Sequence, residues 1–286
     1  MFSIIIPTYN NFDYLKLCIK SIKKNSKFNH EIIIFVQESN DKIIRYLNKQ
    51  KIKYLYSNDN KGLCYAYNKC VKISKTNLIV TAHDDMYFCK KWDIYLFNEY
   101  KKLKTKKFYL SGTMIQAERG HYQLNCGSNP DNFNSKLLDN NEIFNIKNYQ
   151  GSHWMPMLMH KETWNKAGGL SEEFFPGLGS DPDFNHKLWN NGVRIFKSIG
   201  KSNVYHFGSI SSRKKEKFRN GSKLFLLKWK ISVKFFMKYY LRSNEIYDGP
   251  LNNPNKNYSY YFELFLSKIY YLYLKIVNSY INKKYK

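Results

Sequence analysis

The chain has 286 residues, 43% of them hydrophobic, which suits one large domain or a domain with an extension and excludes global disorder. Its net charge of +25 favours polyanionic partners, whether nucleic acid, anionic lipid or phosphorylated substrates, against the plainer reading of a solvated basic surface. Five cysteines without a C-x-x-C pair argue against a disulfide framework or a zinc site and for a reducing, cytoplasmic compartment.

Ser3 to Ile6 is an apolar run closed by Pro7 and reads as a buried strand. Asn10 or Asn11 can cap the helix that follows, whose apolar face holds Phe12, Leu15, Cys18, Ile19 and Ile22. Strands are predicted at Glu31 to Val36, Ile52 to Tyr56 and Leu78 to Ala82, with helices at Asp41 to Asn48 and Gly62 to Ser74. Apolar strands alternating with helices imply βαβ units and a mostly parallel central sheet, so the fold class is α/β. Ligands bind beyond the carboxyl ends of such strands. Here those ends are Pro7-Thr8-Tyr9, Gln37-Glu38-Ser39 and His83-Asp84-Asp85.

Phe108 to Gln116 reads as a strand, 118–150 as loops and Lys161 to Ala167 as a short helix. A helix is predicted from Pro182 to Asn190 with Asp181 at its N-cap, then strands at Val193 to Ile199 and Asn203 to Phe207. From Arg213 to Lys286 there are 17 basic and 4 acidic residues. Lys230, Lys234, Lys238 and Arg242, four apart, predict one basic helix face. A second helical pattern runs from Tyr258 to Tyr280, aromatic and edged with lysine, which suits a membrane interface. No uncharged run reaches the ~18–20 residues of a membrane span, and Met1 to Ile6 lacks the basic start of a signal peptide. The division expected is a domain over 1–212 and a basic, aromatic-rich helical extension over 213–286.

Two carboxylates after a central strand, Asp84 and Asp85, would face the ligand crevice and suit a hard divalent cation. His206, at the end of a late strand, offers a further ligand and tilts such a site towards Mn2+. Asp181, as an N-cap, would be held ionised by backbone amides and the helix dipole.

In order and spacing these pieces resemble the inverting family 2 glycosyltransferases of GT-A fold. Ser3 to Asn10 is similar to that family's opening strand and loop, and Asn60-Lys-Gly62 through Asn68 to its N-x-G-x-x-x-A-x-N segment. His83-Asp84-Asp85 stands at the D-x-D position; Gly168 to Phe175, Ser180 to Asp183 and Leu188 to Ile195 resemble G-G-F-D-E, E-D-x-D and the G-Y-R-I run. The resemblance implies transfer of a sugar from a nucleotide-sugar donor, UDP-sugar favoured, to a glycan or lipid-linked hydroxyl, with Mn2+ or Mg2+. It implies Asp181 as general base, Asp85 and His206 as metal contacts, and Asp84 beside the ribose or donor sugar. Pro7, Thr8, Tyr9, Glu38, Asn60, Gly62 and Asn68 would form the donor side, and Asp183 would position a loop or the acceptor; Trp154, from its own place in His-Trp-Met-Pro, reads as a platform for an acceptor sugar or as a core aromatic. His83, Gln37, Tyr67 and Ser180 depart from the family's usual residues. An anionic membrane surface is the expected partner of the extension. The alternative is a non-catalytic or nucleic-acid-binding relative that uses the basic surface.

Overall fold

The computed structural model describes residues 1–38, 40–118, 120–140, 147–151, 155–208 and 220–284. The predicted βαβ start is present: β1 (Ser3–Tyr9), α1 (Phe12–Asn25), β2 (Glu31–Gln37), α2 (Asp41–Lys49), β3 (Lys53–Ser57), α3 (Gly62–Ile73) and β4 (Leu78–Thr81). Then come β5 (Met86–Phe88), α4 (Trp92–Lys102), β6 (Phe108–Gln116), β7 (Tyr122–Gln123), α5 (Ser135–Asn140), β8 (Met157–His160), α6 (Lys161–Lys166), α7 (Ser180–Asn190) and β9 (Ile195–His206). The chain ends in α8 (Gly221–Trp229), α9 (Val233–Phe235) running into a π turn over Phe236–Tyr240, and α10 (Tyr258–Lys284).

The strands form one sheet in the order β3-β2-β1-β4-β8-β6-β9-β5, with β7 beside β6. β1 to β4 pair in parallel, while β8 enters antiparallel between β4 and β6. β1 is buried along its whole length because its sequence is apolar on both faces. Ile4, Ile5, Ile6, Ile33, Ile34, Val80 and Leu158 pack with Leu15, Cys18, Ile19 and Ile22 of α1 in the main core. Each such aliphatic chain contributes roughly 1.5–3 kcal/mol by leaving water.

Chain order reverses between β1 and β4, which is the switch point where ligands bind. β1 pairs with β4 only over Ser3–Ile5, whereas it follows β2 as far as Tyr9. Pro7 lies past the point where β4 turns away, so its missing N–H costs β1 no bond on that side.

Two expectations are corrected. The two late strands are one, β9, which pairs with β6 on both sides of an irregularity: Ser111 faces Ser198, but Thr113 faces Asn203. β9 therefore carries three extra residues there, around Gly200. The basic stripe is also broken: α8 ends at Trp229, Lys230 takes a left-handed φ of 59°, and Ser232 starts α9 by accepting from Phe235 N. Lys230, Lys234, Lys238 and Arg242 thus share no continuous helix. Phe225, Ile231, Phe235, Phe236 and Leu241 instead join the main core.

Candidate active site

A cavity of about 330 Å³ opens at the β1–β4 switch point. Pro7, Thr8 and Tyr9 line it from β1, Gln37 from β2, Asn60 from the turn before α3, and Tyr67 from α3. His83, Asp84 and Asp85 enter on the turn after β4, His206 from the end of β9, and 176–181 from the loop into α7.

His206 is 121 positions from Asp85 in sequence, and the β5–β9 pairing closes that distance. Met86 sits opposite His206 in the antiparallel register, and Phe207 N donates to Asp85 O at 3.1 Å. His206 Nε2 lies 3.2 Å from Asp85 Oδ1. His83 joins them, and one ligating atom from each of the three falls within 4.8 Å of the others. Two imidazoles and a carboxylate suit a borderline divalent ion such as Mn2+ better than Mg2+, which prefers oxygen. Gln116 Nε2 contacts His206 Nδ1 at 2.5 Å, which leaves Nε2 turned to Asp85. A partner on the second ring nitrogen is how metal-binding histidines are oriented.

Asp84 points elsewhere. Thr8 Oγ1 donates to it at 2.7 Å and Asn11 Nδ2 at 3.1 Å, bridging the gap where β1 and β4 part. Asn11 is the N-cap residue of α1, yet it makes no side-chain cap bond, and its Nδ2 donates instead to Asp84. Burial and the charge of Asp85 push the Asp84 carboxyl up, against those hydrogen bonds.

Asp181 lines the cavity, but not as a cap. The N-cap of α7 is Gly179, in a left-handed conformation at φ 83°, and Asp181 is the second helical residue. Glycine is required there because a Cβ would come within 2.8 Å of the Gly221 backbone. Nor is Asp181 held acidic: burial pushes its carboxyl up to about 7. A helix dipole favours a carboxylate by only about 0.3–1 kcal/mol, and desolvation here outweighs that. A carboxylate that takes protons near neutrality is what a general base needs. Tyr67 is buried between the acids, its phenol pushed well up by burial and by Asp181, Asp84 and Asp85.

The other expected residues divide. Asn60 lines the cavity while its Oδ1 accepts from Gly62 N at 3.0 Å. Gly62 serves the backbone: φ is 81°, and a Cβ would sit 2.7 Å from the Phe175 ring. Asn68 stands away from the cavity and clasps Leu170, donating to its O at 2.8 Å and accepting from its N at 2.9 Å. Glu38 also stands outside the cavity lining, at φ 52°, its carboxylate accepting from Tyr9 Oη at 3.0 Å and Asn10 Nδ2 at 3.2 Å. Gln37 lines the cavity in its place, with Oε1 accepting from Lys61 N at 2.9 Å. Asp183 is fully buried and faces the C-terminal helices: Ser171 Oγ donates at 2.6 Å, Trp229 Nε1 at 2.8 Å, and Lys228 Nζ lies at 2.9 Å. Trp154 lies outside the described residues.

Gln116, Asn11, Met114 and Met155 belong to the site or its support, and the sequence carried no signal for three of them. Only Asn11 had one, its place after the opening strand, and that signal indicated a cap.

The family model for glycosyl transferase family 2 matches residues 3–159. An "Uncharacterized glycosyltransferase" of Rickettsia bellii (strain RML369-C) is 28% identical over 144 residues, 48% of this chain. The chain spans 20% of that relative's length. The solved structure of S. aureus TarS 1-349 superposes with a TM-score of 0.55 at 15% identity, covering 72% of this chain and 60% of that one. The same protein in complex with UDP gives 0.54 at 15% identity, over 71% and 59% of the two chains. GalNAc-T7 with UDP, GalNAc and Mn2+ gives 0.59 at 13%, over 83% and 49%. At these identities the likeness is one of fold, and the fold is the mixed α/β GT-A arrangement.

Proposed function

Because the chain belongs to glycosyl transferase family 2, we propose that it transfers a sugar from a UDP-sugar to a glycan or lipid-linked hydroxyl, with inversion. The observation that carries this is the placing of Asp181 in one cavity with His83, Asp85 and His206, at the switch point of the sheet. Fold neighbours were solved with UDP, and with UDP, GalNAc and Mn2+, which supports the choice of donor and ion. His83, Asp85 and His206 would hold the ion, and a bound divalent cation neutralises charge on a departing diphosphate.

Asp181 accepts the acceptor's hydroxyl proton as that oxygen bonds to the anomeric carbon and the carbon–phosphate oxygen bond breaks. The charge leaves as UDP. Tyr67 and the apolar side chains Met114, Met155 and Leu178 restrict water around the reacting centre. Residues 1–212 form the transferase domain in this reading, and 213–286 an extension whose first helices dock into the same core. A lipid-linked acceptor places the enzyme at an anionic membrane surface.

The test is slow hydrolysis of an α-linked UDP-sugar by the full chain with Mn2+, followed by proton NMR. The β-anomer is expected first. An α-anomer formed first overturns inversion, and no turnover of any UDP-sugar overturns the donor assignment.

A further inference from the structure

The large hydrophobic side chains exposed to solvent are concentrated on one element. Among the described residues, ten of the sixteen lie on α10: Tyr258, Tyr261, Phe262, Phe265, Leu266, Ile269, Tyr270, Leu272, Tyr273 and Ile276. At 100° per residue these ten occupy an arc of about 180°. The opposite seam, Tyr260, Ser267 and Leu274, seven residues apart, is buried. That inner seam is fixed to the domain: Ser267 Oγ bonds Ser232 Oγ at 3.3 Å, and Tyr239 Oη donates to Glu263 at 3.1 Å. The outer face is thus held turned outward.

We propose that this outer face of α10 is an interfacial helix that lies in the headgroup region of an anionic phospholipid bilayer. Charge complementarity selects the occupant. Glu263 is the helix's one acid and is engaged inward by Lys238, while Lys268 and Lys275 are exposed at the border of the apolar arc. Lysine at that border can lay its stem along the apolar boundary and reach a lipid phosphate. Six of the ten exposed residues are Tyr or Phe, and the four tyrosines carry a polar hydroxyl on an apolar ring, which suits the polar–apolar boundary. The arc is also wider than the a/d seam of a two-stranded coil, which would leave Leu266, Tyr270 and Tyr273 in water. No described helix is long and apolar enough to cross a membrane, so α10, about 40 Å long, lies along the surface.

The inference deepens the reading of a lipid-linked acceptor, yet its test needs neither donor nor acceptor and so fails separately. The full chain is sedimented with vesicles of phosphatidylcholine alone and with equal parts phosphatidylglycerol. Binding to the anionic vesicles, weakened by salt, is expected. The double variant Phe265→Glu, Ile269→Glu, at exposed positions, should bind at least tenfold more weakly with an unchanged melting temperature and UDP affinity. Equal binding by the variant, or no binding by the native chain, overturns the proposal. A native dimer in sedimentation equilibrium that this variant splits also overturns it, because a second copy then covers the face.

Discussion

Asp181→Asn separates a base from a structural carboxylate in one measurement, because it keeps shape and removes proton affinity. The carboxyl rises from its ordinary 3.8 to about 7 through burial. The folded state therefore holds this proton more tightly than the unfolded chain does. Between about pH 4 and 7 the native protein binds more protons, so stability falls as pH rises through that window and is level above it. Each tenfold change in proton affinity is worth about 1.4 kcal/mol, so the rise caps the cost at about 4 kcal/mol. Asp181 keeps partial access to the cavity, so solvent screening lowers the realised figure well below that cap. Asn has no proton to lose. The variant should therefore melt at the native temperature near pH 4 and above it at pH 8. Transfer should drop by at least ~10²-fold, and the native rise of kcat/KM with pH through about 7 should vanish. Near-native turnover, or a variant less stable than the native protein at pH 8, refutes the reasoning.

Gln116→Ala removes the contact to His206 Nδ1 and should weaken Mn2+ affinity about 10–100-fold without unfolding the chain, as read by calorimetry; unchanged affinity removes Gln116 from the site. Asp183→Ala leaves Trp229 Nε1 and the buried Ser171 Oγ without their acceptor, while Lys228 keeps Glu173, and should cost about 1–3 kcal/mol in urea unfolding. A stable Asp183→Ala protein with weakened acceptor binding would return Asp183 to the acceptor site. Asp93 is fully buried and accepts from Lys27 N, Phe28 N and His30 Nε2. Desolvation opposes its charge, but those hydrogen bonds prevail and hold its carboxyl below the usual range. Its stabilisation is thus present above the ordinary carboxylate pKa and lost as pH falls through the lower native one. Asp93→Ala should lose about 2–4 kcal/mol at pH 7 and less in acid, with turnover per folded molecule unchanged.

The first half of the sheet was legible because β1, β2 and β4 are nearly unbroken apolar runs, and β3, at the sheet's edge, carries Tyr54, Leu55 and Tyr56 together. β5 and β8 escaped because three or four residues carry no period, and their pairing partners are distant in sequence. Gly200 split β9 on paper, yet the bulge against β6 keeps one strand. Of the three residues proposed to hold the ion, Asp85 and His206 were candidates in the sequence. His83 looked like a departure until pairing of β5 with β9 brought the two imidazoles to 5.6 Å between ring centres. The roles of Asp181 and Asp183 turn on which way the first turn of α7 faces. A sequence gives both as acids near a helix start, and only the packing of α8 assigns Asp183 to Trp229 and Lys228.

The central claim is a UDP site completed by a divalent ion. Calorimetric titration of UDP into the full chain, in Mn2+ and again in EDTA, tests it most directly. Binding in Mn2+ that is lost in EDTA, and absent in both for a folded Asp85→Ala variant, is the predicted result. UDP affinity unaffected by chelation, or no UDP binding with Mn2+ present, would contradict it.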